Sequence, residues 1–154
     1  MPMDYSEFKK LLAGYKEVQK KHETFIRNFL TTMGMRAIAQ TKALTPVDTS
    51  NLINRWELSQ VYRSGDSLYI VLFNPVVYAS FVEDGHMQHK RWVPGKWSGK
   101  KFTYIPNAKT GMMLKNKFIP GHHMARVSIA KVELELPARY DKAFKQFLAG
   151  LGVS

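Results

Sequence analysis

Apolar side chains return every three to four positions along the first third of the chain, at Phe8, Leu11, Leu12, Tyr15, Val18, Phe25, Ile26, Phe29, Leu30, Met33, Ala37, Ile38 and Leu44. This is the helical period, and it predicts one amphipathic helix over residues 4–44. Asp4 and Glu7 stand at capping-box spacing at its start. Pro46 sets its end by disfavouring helical geometry at Thr45. At ~1.5 Å per residue such a helix would be about 60 Å long, more than a domain of this size needs. Either it bends near Gly14 or Gly34, or it stays straight, overhangs its own fold and packs on a neighbouring subunit.

After a turn over residues 45–52, where Asp48 can accept N–H bonds and start a short helical turn through Leu52 and Ile53, the period changes to two. Trp56, Leu58, Gln60 and Tyr62 alternate with Glu57, Ser59, Val61 and Arg63. With the turn signal Ser64-Gly65-Asp66 and a second strand over 67–74, this predicts a sheet hairpin at 56–74 that Pro75 stops. Residues 78–84 fit a short helix with Tyr78, Phe81 and Val82 on one side and Gly85 as its stop. Over 86–119 a basic loop and hairpin are expected: an exposed loop at 89–100, then strands 101–105 and 112–119 paired across Asn107-Ala-Lys-Thr-Gly. Residues 122–149 read as a helical region, although Val127, Ile129, Val132, Leu134 and Leu136 also alternate as a strand would. Pro137 either kinks this helix or opens a last one, which would bury Tyr140, Phe144, Phe147 and Leu148 and stop at Gly150. The sum is a single α+β domain over 1–154: a long N-terminal helix and C-terminal helices packed on a small, mainly antiparallel sheet, with a basic elaboration.

Composition narrows this without changing it. At 45% apolar and 23% charged residues the chain has the make-up of a soluble globular protein. No apolar run is long enough to cross a bilayer, and the first residues lack the pattern of a secretory signal. The absence of cysteine excludes disulfides, thiolate zinc sites and cysteine nucleophiles. The expectation is an intracellular protein made in a reducing compartment. Charge is the unusual feature. Residues 85–132 hold ten lysines and arginines and no acidic residue, while the remainder, with 13 basic and 12 acidic residues, is close to neutral. Nearly all of the formal charge of +11 therefore sits in one segment, which suits an acidic partner.

Three chemistries can be asked of that segment. His86 and His89, with Glu83, Asp84, His122 and His123, supply metal-ligand types, but no H-E-x-x-H spacing joins them. Glu83 and Asp84 are adjacent, so on a helix they diverge by ~100° and make a poor acid–base pair. The stretch Pro94-Gly95-Lys96-Trp97-Ser98-Gly99-Lys100 lacks the spacing of a phosphate loop, and no G-x-S-x-G element occurs. No catalytic residue, cofactor or metal ligand is assigned, and the expectation is a protein that is not an enzyme. Lys90, Arg91, Trp92, Lys96, Trp97, Lys100 and Lys101, followed by Phe102 and Tyr104, interleave cations with aromatics as single-strand binders do. The same residues would serve a basic loop docking on an acidic protein, with the aromatics as interface anchors. A nucleic-acid-binding module using residues 89–104 thus stays open, with a metal-dependent nuclease behind it.

Three blocks in order carry a resemblance. Thr45-Pro-Val-Asp-Thr-Ser-Asn-Leu followed by Trp56 resembles a T-P-V-D-T-G-x-L turn ending near a tryptophan. Tyr78-Ala-Ser-Phe-Val-Glu-Asp-Gly85 fits Y-A-x-x-V-E-x-G, and Phe118-Ile-Pro-Gly-His-His-Met-Ala-Arg precedes a C-terminal helix. In this order and spacing they are similar to the small tail-component proteins of long-tailed phages and prophages. Ser50 stands where that family usually has glycine, Ile53-Asn54 replaces a more basic, serine-containing run, Asp84 takes a place often aromatic, and 86–117 is longer than the minimal form. The resemblance implies a structural virion protein for tail completion or head–tail joining. It implies a homo-oligomeric ring of six subunits at the neck, between the connector and the tail terminator or tail tube proteins, with DNA passing through and no membrane partner. Its location would be the virion neck or tail, after assembly from the bacterial host cytoplasm. The motif residues Pro46, Asp48, Thr49, Leu52, Trp56, Tyr78, Glu83 and Gly85 would then hold the fold: Asp48 and Thr49 capping a turn, Trp56 in the core, Tyr78 and Glu83 fixing the short helix.

Overall fold

A computed structural model describes residues 5–47 and 50–152. The expected caps at Asp4, Asp48 and Thr49 lie outside the described residues. The chain divides into two compact units, residues 1–75 with 124–154, and residues 76–123.

The first unit is built on α1 (Tyr5–Leu44), one uninterrupted helix of 40 residues that runs through both Gly14 and Gly34. Gly34 is instead a close-packing point, because the side chains of Ile70 and Leu58 stand 3.1 and 3.2 Å from where its Cβ would be. The C-terminal region is also one helix, α4 (Met124–Gly150), with Pro137 inside it, so neither the strand nor the break at Pro137 is adopted. The two helices run antiparallel: Phe25 stacks on Phe147 at 4.7 Å, Phe29 meets Tyr140 edge-on, and Met33 and Ala37 pack with Val132. Arg36 forks onto Glu135 at 2.7 and 3.1 Å, and Arg139 meets the same carboxylate at 2.8 Å. Hydrogen bonds from Arg36, then from Arg139, hold the Glu135 carboxyl down at a pKa of about 2. Farther down α1, Glu23 binds Arg27 and Arg63, which lower its pKa, and Arg27 donates to the Val61 carbonyl, tying α1 to the hairpin.

The hairpin forms as two short ladders. β1 (Glu57–Leu58) pairs with β4 (Leu72–Phe73), and β2 (Tyr62–Ser64) pairs with β3 (Ser67–Tyr69), both antiparallel. Between Leu58 and Tyr62 lie three residues, but only two lie between their partners Leu72 and Tyr69, so the first strand carries one extra residue. Such a bulge bends the ladder and increases its twist. Ser59 holds the bulge: its N–H donates to the Val71 carbonyl, and its hydroxyl accepts the Val71 N–H.

The turn block closes this unit with a buried polar chain. The Trp56 indole N–H donates to Thr45 Oγ1 at 2.9 Å, Thr45 Oγ1 donates to the Thr41 carbonyl at 2.7 Å, and Thr41 Oγ1 donates to the Ala37 carbonyl. Leu52, on the short helix α2 (Asn51–Asn54), is buried, and the Asn74 side-chain amide donates to its carbonyl. Ser50 precedes α2 in the left-handed region, φ 61°. That is the conformation glycine accepts at no steric cost, and it explains why a glycine fits this position.

In the second unit, α3 (Ala79–Asp84) ends at Gly85, whose φ of 87° and ψ of 173° suit glycine almost alone. β5 (Gly85–Gln88) pairs antiparallel with β9 (Lys117–Pro120). The last two carbonyl groups before the helix end accept backbone N–H groups from the third sequence block: His122 to Val82 at 2.8 Å and His123 to Glu83 at 3.0 Å. Gly121 must be small here, because a Cβ would run into the Glu83 carbonyl oxygen. β6 (Arg91–Ser98), β7 (Lys101–Tyr104) and β8 (Gly111–Leu114) form a three-stranded sheet in the order β7-β6-β8. Two expectations are corrected by this. Residues 91–98 are the central strand and not an exposed loop, and 101–104 pairs with β6, not with residues 112–119. Those later residues divide between β8, which pairs with β6, and β9, which pairs with β5.

Candidate interaction surface on the basic sheet

Side chains alternate faces along a strand, and directly paired residues share a face. The register therefore sorts the three-stranded sheet. Arg91, Val93, Gly95 and Trp97 lie on one face with their partners Leu114, Met112, Tyr104 and Phe102. Trp92, Pro94, Lys96 and Ser98 lie on the other with Met113, Gly111, Thr103 and Lys101. The first face is aromatic and aliphatic with one cation. The second holds Lys96 and Lys101 with Trp92.

Each face is organised around a covered glycine. Phe102 fills the space beside Gly95 and meets Trp97 edge-on at 5.2 Å, while the Trp92 ring fills the space beside Gly111. The aromatics nevertheless remain open to solvent: Trp92 is 52% exposed, Trp97 56% and Tyr104 61%. The approach to the sheet is pinned by the Lys90 N–H donating to Asn116 Oδ1 and the Gln88 amide donating to the Lys115 carbonyl. Among the described residues, no ion pair engages Lys90, Arg91, Lys96, Lys100, Lys101, Lys109, Lys115 or Lys117. Their charge is available to an anion from outside.

The seven residues singled out from sequence thus do not form one patch. Trp92, Lys96 and Lys101 share a face, Arg91 and Trp97 lie on the opposite face, Lys90 precedes β6, and Lys100 sits in the turn after it. Among the described residues, no group of three or more His, Cys, Asp or Glu comes together to hold a metal ion. His86 faces the Phe81 ring at 5.7 Å, while His122 and His123 act through their backbone N–H groups. Of the motif residues, Pro46 stands two positions past the end of α1, Leu52 and Trp56 are buried, Tyr78 precedes α3, Glu83 offers its carbonyl to His123, and Gly85 supplies the left-handed stop. Sequence reasoning missed Thr41, Thr45 and Asn74, which hold the turn block together. The four-residue spacing of Ala37, Thr41 and Thr45 on one helix face was the available signal.

The bacteriophage HK97-gp10-like tail-component family matches residues 9–85, half of the chain. The chain belongs to this family. It is 41% identical over 86 residues to the phage-like element PBSX protein XkdI of Bacillus subtilis (strain 168), covering 49% of this chain and 51% of that protein. It is also 30% identical over 114 residues to the uncharacterized protein YqbI of the same strain, covering 66% of this chain and 68% of that one. The chain thus spans about half the length of the first relative and about two thirds of the second. No solved structure matches it. HK97-gp10-like tail components are structural virion proteins, and no helix among the described residues is long and apolar enough to cross a membrane. The family match runs from α1 through α3 and stops at Gly85, so the three-stranded basic sheet lies beyond it.

Proposed function

We propose that this tail component is a tail-completion, head–tail joining protein without catalytic activity that assembles as a homo-oligomeric ring at the virion neck. The observation that carries this reading is the amount of large apolar surface left uncovered. Leu11 and Tyr15 on α1, Trp97 on β6 and Tyr104 on β7 are each more than half exposed. A soluble chain with patches of this kind is built to be covered by partners, and closed symmetric assembly is the common way to do it. The aromatic face of the basic sheet suits a neighbouring protein, either the connector or a tail terminator or tube subunit. The lysine face with Trp92 suits DNA passing through the ring.

Deleting the gene tests the first part. Filled heads and separate finished tails are expected after induction, whereas normal joined particles would contradict a joining role. A filter-binding salt series tests the second. Lys96→Glu with Lys101→Glu should abolish a strongly salt-dependent DNA affinity that Trp97→Ala leaves in place. Equal losses from both changes would contradict the division into faces.

A further inference from the structure

Among the described residues, none covers the N-terminal part of α1. Phe8, Leu11, Tyr15, Val18, His22, Phe25 and Phe29 follow one another at alternating three- and four-residue steps, the spacing of a coiled-coil seam. α4 meets this seam at His22, 6.1 Å from Phe144 and Phe147, covers it from Phe25 onward, and ends at Gly150. Every described residue from 5 to 22 is exposed, with Leu11 at 70% and Tyr15 at 69%. The uncovered seam is therefore a direct continuation of an interface that, three turns later, is a packed aromatic core.

The same unit presents a groove of about 1220 Å³ between α1 and α4, floored by Phe25, Phe29, Met33, Ala143 and Phe147. Its lining along α1 runs from Glu17 to Met33, which at ~1.5 Å per residue is about 24 Å; the uncovered segment, residues 5–18, is about 20 Å long. Its wall also carries the charged side chains of Glu17, Lys20, Lys21, Arg139 and Lys142 and the amides of Asn28 and Gln146. Thr24 and Thr32 already donate their hydroxyls to the carbonyls of Lys20 and Asn28 in their own helix. Among the described residues, no helix fills the groove and none covers the overhang.

From this fit we infer that residues 5–18 of one copy dock into the α1–α4 groove of a second copy of the chain. The inference rests on the proposed ring and supplies its interface. The contact is heterologous, so each copy both gives an overhang and receives one, and the series closes as a ring where the rotation between copies divides a full turn and runs on as a filament where it does not. Two overhangs pairing with each other would instead stop at a dimer.

The lack of cysteine makes the test direct. Leu11→Cys and Ala143→Cys are prepared singly and mixed under mild oxidation, while the wild type is sized across a concentration series. Cross-linked heterodimers in the mixture, and a ladder of covalent multimers from the double variant, are expected. Leu11→Glu with Tyr15→Glu should weaken self-association by at least about tenfold, with helical circular dichroism unchanged because the segment has no cover to lose. Efficient cross-linking of Leu11→Cys alone, or a wild-type multimer that the Glu variant leaves intact, overturns this interface and leaves the ring standing. A wild type that is monomeric throughout, with no cross-link, overturns both.

Discussion

Thr45→Val changes one buried hydroxyl to a methyl group of the same shape, and the structure gives that change two consequences. Trp56 is 6% and Thr45 4% exposed, so the indole N–H loses its acceptor where water cannot replace it. The Thr41 carbonyl also loses a donor. At the end of α1 the Thr45 N–H turns to Lys42, and the Thr45 hydroxyl serves Thr41 instead. A buried polar group left without a partner costs roughly 1–3 kcal/mol. Two such groups, one of them at a helix end, give an expected destabilisation of about 3 kcal/mol. In a chain of this size that is a fall in Tm on the order of 6–12 °C. Thr45→Ser retains both hydrogen bonds and should lose only about 1 kcal/mol for the missing methyl group. A thermal or urea unfolding series on Thr45→Val, Trp56→Phe and the double variant isolates the contact, because on the Trp56→Phe background no indole N–H is left to strand. The cost of Thr45→Val should there be smaller by about 1–2 kcal/mol. Equal costs for valine and serine, or a coupling energy of zero, would refute the reasoning.

Three further outcomes follow from other sites. Ser50→Gly relieves a left-handed residue that costs roughly 1–2 kcal/mol, against ~0.5–1 kcal/mol of added chain entropy, so it should raise stability slightly in urea unfolding. Gly85→Ala forces a side chain into a glycine-only conformation beside the Ile119 carbonyl, and should destabilise the second unit by more than about 2 kcal/mol, seen as faster proteolysis within residues 85–123. Glu135 is held at about 2 in the folded state against an ordinary value near 4.5. Its ion pairs therefore stabilise fully above pH 4.5, and that stability is lost as pH falls towards 2. The stability gap between wild type and Glu135→Gln should accordingly close across that window, and a gap independent of pH would contradict the assignment.

The parts legible in the sequence are those with a clean period. The stripe from Phe8 to Leu44 gave α1 to within a residue, and the turn at Ser64-Gly65-Asp66 placed the first hairpin, although its extra residue at 59–61 left no mark in the alternation. The central strand β6 was hidden by its own composition, since a proline inside a strand ordinarily argues against one. Its position explains the exception. Pro94 pairs with Gly111 at the last position facing β8, and Gly95 begins the pairing with β7, so the missing N–H falls where one neighbour hands over to the other. With β6 read as a loop, 101–105 and 112–119 had only each other to pair with. The basic–aromatic cluster failed as a single patch for a related reason. Trp92 and Trp97 are five residues apart, an odd number, and once those residues form a strand they must point to opposite faces. Pro137 was legible as a possible break, but α4 continues through it, with the aromatic packing of Tyr140, Phe144 and Phe147 on α1 beyond.

A ring at the neck would be visible in a cryo-electron microscopy reconstruction of the neck of particles that carry this tail component. The expected density is a closed ring of copies between connector and tail tube, each placing the N-terminal end of α1 against its neighbour. A neck reconstruction with no density for this chain, or with single unconnected copies, would contradict it.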